Sequence, residues 1–177
     1  MRLASWLLIT SMFLTSCANG PSIVAAERSS QLINSSYTAV DNLITKQSNV
    51  YIGPGRKVLV ATIVDLNRLN SSSPFGRLVA EQLVSRLAQL GIGVNELKLR
   101  GSLYVSEKQG ELLLSREAKD ILATQNADAV LVGTYSNAGP AVYVTLKLVR
   151  ASDAAIISAY NYVIDKEGTI PYLLRAD

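Results

Sequence analysis

The sequence predicts an α/β (α+β) domain, a mixed β-sheet with helices packed on it and a C-terminal antiparallel hairpin. Two runs, Val58–Val64 and Ala129–Tyr135, are apolar at odd and even positions alike. Strands of that kind are covered on both faces. Between them lie segments with helical periodicity, which implies right-handed crossovers and parallel pairing. The chain then closes on alternating apolar and polar residues around Ala151-Ser152-Asp153-Ala154, the pattern of two antiparallel strands.

The N-terminus reads as an export signal. Arg2 is basic, Leu3 to Leu14 is an apolar run, and Leu14-Thr15-Ser16-Cys17 follows. About twelve apolar-dominated residues are too few to span a bilayer as a helix, and the layout is that of a secretory signal. The last four residues resemble the lipobox of bacterial lipoproteins. That resemblance implies cleavage before Cys17 and lipidation of its sulfur, with residues 1–16 removed. By the same resemblance Ala18, in place of an aspartate, favours the outer membrane, on its periplasmic side. Residues 17–30 are small and polar, with Gly20 and Pro21; they read as a flexible tether reaching about 20 Å. The single domain is expected over residues 31–177.

The first helix is expected from Ile33, with Tyr37, Val40 and Ile44 on one stripe, Leu43 beside them, and Ser35 or Ser36 as cap. Gly53-Pro54-Gly55 breaks the chain. Lys57–Asp65 is the first strand and Asn67–Ser73 a polar loop. Ser73 and Pro74 suit the start of the next helix. Phe75, Val79, Leu83, Leu87 and Leu90 form its apolar stripe, widened by Leu78, and Gly91 suits its end. Ile92–Arg100 is a second strand with one wet face. Leu103-Tyr104-Val105 is a short apolar piece in an irregular stretch. A third helix is expected from Arg116 to Gln125, ended by Asn126. After the strand Ala129–Tyr135, Val142, Val144, Leu146 and Leu148 line one face of the hairpin, and Ile156–Ile164 returns. The order is helix, strand, helix, strand, helix, strand, strand, strand.

Composition removes several chemistries. The chain has no His and one Cys, which excludes Ser-His-Asp and Cys-His nucleophilic systems and His-ligated zinc. No disulfide can form within the chain. The net charge of +3, or +2 without Arg2, does not argue for nucleic acid. No cofactor or metal is expected. Glu111 and Glu117 flank Arg116, which fits acids favoured at a helix start better than a carboxylate pair. Ser71–Arg77 could cradle an anion at a helix N-terminus, but the glycine and lysine of a phosphate loop are missing; a packed helix start with Gly76 in close contact fits better. Gly133-Thr134-Tyr135 is read as structural. Tyr143, Tyr160 and Tyr162, on or beside the hairpin, are candidate partner contacts, since tyrosine recurs at binding hot spots; half-buried sheet residues are the equal alternative. An unpaired hairpin edge offers a further route to a partner, a homo-oligomer or a ring.

Five stretches together resemble the FlgO family of flagellar outer-membrane lipoproteins. They are Ser36–Ile44, Ser73–Arg77, Glu96–Arg100, Gly110–Glu117 and Ala127–Tyr135, in order across nearly the whole domain. The resemblance implies a fold like the N-terminal domain of TolB and the periplasmic domain of LpoB-type lipoproteins. It also implies an outer-membrane-attached protein that supports the flagellum and motility through contact with other envelope or flagellar proteins, not an enzyme. The alternatives are an LpoB-like regulator of a peptidoglycan machine and a carboxylate-dependent envelope hydrolase.

Overall fold

The computed structural model describes residues 23–45, 52–97, 104–105, 113–114 and 123–175. The expected export signal, Cys17, the first part of the expected tether and most of the expected third helix lie outside the described residues. Helix α1 spans Ile23–Thr45 and α2 spans Pro74–Gln89. The strands are β1 (Lys57–Ala61), β2 (Val64–Asp65), β3 (Gly93–Leu97), β4 (Tyr104–Val105), β5 (Leu113–Leu114), β6 (Ala129–Ala138), β7 (Ala141–Arg150) and β8 (Ile156–Asp165). A short helix, α3, covers Ile170–Leu173.

The main sheet runs β3-β1-β6-β7-β8, with β2 paired to β6. The first three strands are mutually parallel; β6, β7 and β8 form an antiparallel meander. This is the mixed sheet the sequence implies. Strand β6 is longer than the expected Ala129–Tyr135, because Gly139-Pro140 turns the chain directly into β7 with Ala138 opposite Ala141. Strands β4 and β5 form a separate antiparallel pair.

Helices α1 and α2 pack on one face of the sheet. Leu32, Ala39, Val40 and Leu43 of α1 meet Phe75, Val79, Leu83 and Leu87 of α2 over Val58, Val60, Leu131, Val144, Leu146 and Ile164. The opposite face of β1 and β6 carries a smaller cluster of Leu59, Ala61, Val130 and Val132, with Val149 of β7. Both faces of β1 and β6 are therefore buried, as their unbroken apolar runs require.

Several local expectations are corrected. Helix α1 starts at Ile23, inside the stretch read as a tether and ten residues before the expected start; Ala25, Ala26, Glu27 and Arg28 are competent helix formers that their small and polar neighbours obscured. Its buried stripe is Leu32, Ser36, Ala39, Val40 and Leu43; Val40 and Leu43 stand as expected and Ile44 is partly buried against the cluster, while Ile33 is 42% exposed. Ser36 is therefore an interior helix residue and not a cap. The strand expected over 57–65 is interrupted. Val60 pairs with Leu131 but Val64 pairs with Thr134, so one extra residue is accommodated at Thr62-Ile63, a bulge. Leu78 is 37% exposed and lies off the stripe of α2. Of the expected third helix residues 123–125 are described; 123–124 are helical and Gln125 is already in a turn. The tail, for which the sequence suggests no role, docks Ile170, Leu173 and Leu174 on the main cluster.

Candidate functional site

The start of α2 is wired to the bulge and to β6. Ser73 has extended backbone and occupies the N-cap position, with Pro74 opening the helix. The Ser72 hydroxyl donates to the Ile63 carbonyl at 2.7 Å. The Ser73 N–H donates to the Tyr135 hydroxyl at 3.1 Å, and Tyr135 meets Phe75 edge-on with centroids 5.4 Å apart. The Asp65 N–H donates to Ser71 O, and the Leu66 N–H to Tyr135 O. A Cβ at Gly76 would collide with the Ile63 carbonyl oxygen and lie 2.5 Å from Ser72 Oγ. Pro74 has no N–H, Gly76 is buried, and the Ser73 hydroxyl, 3% exposed, has no partner among the described residues. The segment works as a packed joint between helix and sheet, and it leaves an anion little backbone to approach.

Gly133 has an equally steric reason. A Cβ there would lie 2.7 Å from Leu146 Cδ2 and 2.8 Å from Thr145 O, so only glycine lets β7 and the bulge close on β6.

Asp41, Asp128 and Asp153 hold segments of the chain together. Asp128 takes Arg56 Nη1 and the Lys57 N–H, both at 2.8 Å. Asp41 takes Arg86 Nε and Nη2, both at 2.8 Å, tying α1 to α2; this raises the Arg86 pKa above its ordinary value. Tyr37 lies under the same guanidinium, 5.5 Å from its ring centroid. Asp153 accepts from the Ala155 N–H, which with Arg150 holds its carboxyl below the usual range. Among the described residues no group of three potential ligands could hold a metal. Glu111, Arg116 and Glu117 lie outside the described residues.

The three tyrosines fall on two sides of the sheet. Tyr160 and Tyr162 of β8 face the helices, with rings 6.5 Å apart and packed on the main cluster. Tyr162 Oη lies 3.4 Å from Ser36 Oγ, which donates to Gln82 Oε1 at 2.8 Å. This polar knot joins α1, α2 and β8, and burial pushes the Tyr162 phenol up to about 12. Tyr143 of β7 is on the other side, 52% exposed and opposite Val163, itself 48% exposed. Ser136 lies opposite Tyr143 on β6. Tyr143 and Val163 thus belong to an open sheet face that also carries Thr145, Lys147, Ala159 and Asn161.

Strand β8 forms one edge of the main sheet and pairs, among the described residues, with β7 alone. The sequence signal for this surface was the alternating hairpin; which tyrosine faces which side depends on register.

A family model described as "FlgO protein" matches residues 37–169. No curated protein matches the sequence. Among solved structures, the LpoB C-terminal domain from Salmonella enterica is similar, with 18% identity and a TM-score of 0.50, over 73% of this chain and 98% of that one. The LpoB C-terminal domain from Escherichia coli gives 17% identity and a TM-score of 0.49 over 73% and 98%. A PelC dodecamer from Paraburkholderia phytofirmans gives 18% and 0.45 over 72% and 85%. At these identities the likeness concerns the fold.

Proposed function

The chain belongs to the FlgO protein family, matched over residues 37–169, and from that premise we propose that it is a cell-envelope lipoprotein acting by protein–protein contact, not catalysis. The observation that carries this reading is the extent of the match, which takes in the C-terminal part of α1, all of α2 and every strand of the main sheet. Two further features support it. The carboxylates of Asp41, Asp65, Asp128 and Asp153 are engaged by arginines or backbone N–H groups. The surface around β8 offers an edge and an open face with Tyr143 exposed.

Membrane attachment in this reading is a lipid on Cys17, holding the domain on the periplasmic side of the outer membrane. Two or more acyl chains anchor firmly where one is marginal. Among the described residues no helix is long and apolar enough to cross a membrane. The partner is the flagellar apparatus, so the protein supports motility. The intact mass of the matured protein tests the anchor: it should begin at Cys17 and carry acyl chains, and Cys17→Ala should leave the membrane fraction. A deletion strain tests the organelle. It should swim poorly with normal wall growth, and the protein should copurify with basal bodies.

The second reading, a docking regulator of a peptidoglycan machine, draws on the fold shared with the LpoB domain. It is favoured instead if deletion alters wall growth and leaves swimming intact.

A further inference from the structure

Edge strands are ordinarily blunted by short length, lysine, proline or inward charge. Strand β8 has little of this. It runs ten residues, well beyond the mean strand of about five to six. From Ile156 to Ile164 it contains no charged residue and no proline. The other edge, β3, spans five residues and carries Gly93 and Glu96.

The register fixes which backbone groups of β8 are unpaired within the sheet. Lys166 N–H donates to Pro140 O at 2.7 Å, continuing the rungs that pair Asp165 with Ala141 and Ser158 with Leu148 without interruption. Hydrogen-bonded rungs of an antiparallel pair recur every second residue. Even-numbered residues of β8 therefore bond to β7, and Ala159, Asn161 and Val163 turn their N–H and C=O outward, as does Asp165, whose carbonyl accepts from the Glu167 N–H at 2.9 Å. Their side chains are all exposed.

We propose that this edge pairs with β8 of a second copy, antiparallel about a two-fold axis through Asn161. The inference deepens the reading that the protein works by contact, and names one partner. Three constraints select the arrangement. Hydrogen-bonded rungs must join outward-facing residues, so odd must meet odd. Antiparallel partners share a sheet face, so the helices of both copies stay on one side. The regular part of β8 begins after the irregularity opposite Leu148/Val149, which centres the pairing near residue 161. Asn161 then faces Asn161 of the second copy, and Ala159 faces Val163, giving about six N–H···O bonds. Tyr160 falls opposite Tyr162 in the closer, non-hydrogen-bonded positions, where cross-strand aromatic pairs contribute. No like charges oppose one another along the seam.

The test uses the full-length lipidated protein in detergent. Sedimentation velocity should show a dimer at micromolar concentration. Asn161→Cys should form an intermolecular disulfide on mild oxidation, because Cα atoms of a hydrogen-bonded pair sit about 5.5 Å apart, within disulfide range. Tyr143→Cys, on the open face, should not, and the unsubstituted protein reports any contribution from Cys17. Asn161→Lys, which opposes two like charges on the axis, should weaken association roughly fivefold or more, while Asn161→Ala retains it. Val163→Lys repeats the test should Asn161→Lys fail to fold. A monomer at all concentrations, a dimer indifferent to both lysines, or cross-linking at Tyr143 and not Asn161 overturns the proposal. Each of these outcomes leaves the motility and anchoring tests untouched.

Discussion

Gly76→Ala sets two effects of opposite sign against each other at one position. Alanine is favoured over glycine inside a helix by about 1 kcal/mol, so propensity alone makes the variant more stable. The packing says otherwise. The new methyl would press on the Ile63 carbonyl oxygen, on Ser72 Oγ at 2.5 Å and on Tyr135 Cε1 at 3.0 Å. Only the serine can swing aside, and doing so breaks its 2.7 Å bond to that same carbonyl, a loss of about 1 kcal/mol. The carbonyl belongs to the bulge between β1 and β2 and cannot shift without disturbing the pairing with β6. Overpacking of this kind costs about 1–3 kcal/mol; the lost bond and the propensity gain offset each other, so the net destabilisation is about 1–3 kcal/mol. With a urea slope of about 2 kcal/mol/M, the unfolding midpoint should fall by roughly 1 M. Ser85→Ala, at an exposed position of the same helix, supplies the comparison and should change stability by no more than about 0.5 kcal/mol. A Gly76→Ala protein as stable as the parent would refute the close contact, and with it the reading of Ser71–Arg77 as a packed joint.

Ser36→Ala removes the donor to buried Gln82 Oε1 and should cost about 1–3 kcal/mol by urea unfolding, because the acceptor is left without its partner. Raising the pH should unfold the protein through Tyr162. Its phenol is pushed up from 10.0 to about 12, so the unfolded chain ionises first; stability is whole below pH 10 and falls by on the order of 2 kcal/mol between pH 10 and 12. Melting temperatures across that window should fall less for Tyr162→Phe. Arg86→Ala should lower the melting temperature at low salt, with the difference shrinking at high salt, since the bidentate pair with Asp41 is partly exposed. Ala154 sits at φ 62°, so Ala154→Gly should gain up to about 1 kcal/mol in urea unfolding by relieving left-handed strain.

Elements whose burial is decided locally were legible in the sequence. The apolar run of β6, the stripe of α2 from Phe75 to Leu87 and the closing hairpin all stand where their patterns put them. The errors arose where a distant residue decides. In α1 the centre of the buried stripe, Leu32-Ser36-Ala39-Leu43, has the spacing expected of Ile33-Tyr37-Val40-Ile44 moved by one residue, and of the expected set Val40 alone is fully buried. Hydrophobicity prefers the second set, because Ser36 reads as polar. It is buried because Gln82, on another helix, accepts a hydrogen bond from its hydroxyl. The break at Thr62-Ile63 is likewise invisible in an unbroken apolar run, since a bulge is a property of the pairing with β6. At the candidate site, the alternation announced a hairpin with an edge. The separation of Tyr143 from Tyr160 and Tyr162 follows from register, which one strand alone does not specify.

The proposed dimer and the proposed anchor constrain each other. An axis normal to the sheet sends the two α1 helices in opposite directions, so their N-termini at Ile23 lie at opposite ends of the assembly. Two lipidated Cys17 residues can share one leaflet only if that axis runs along the membrane normal, which lays the sheet parallel to the lipid. Each α1 rests on the helical side, and with five residues between Cys17 and Ile23 the span is at most about 20 Å whatever their conformation. That length serves a membrane on the helical side; to reach one on the other side it would have to pass around the sheet as well. The open face bearing Tyr143 and Val163 then points away from the lipid, toward whatever the envelope presents. Two copies double that face, so a bound partner gains from avidity without any new contact within the domain.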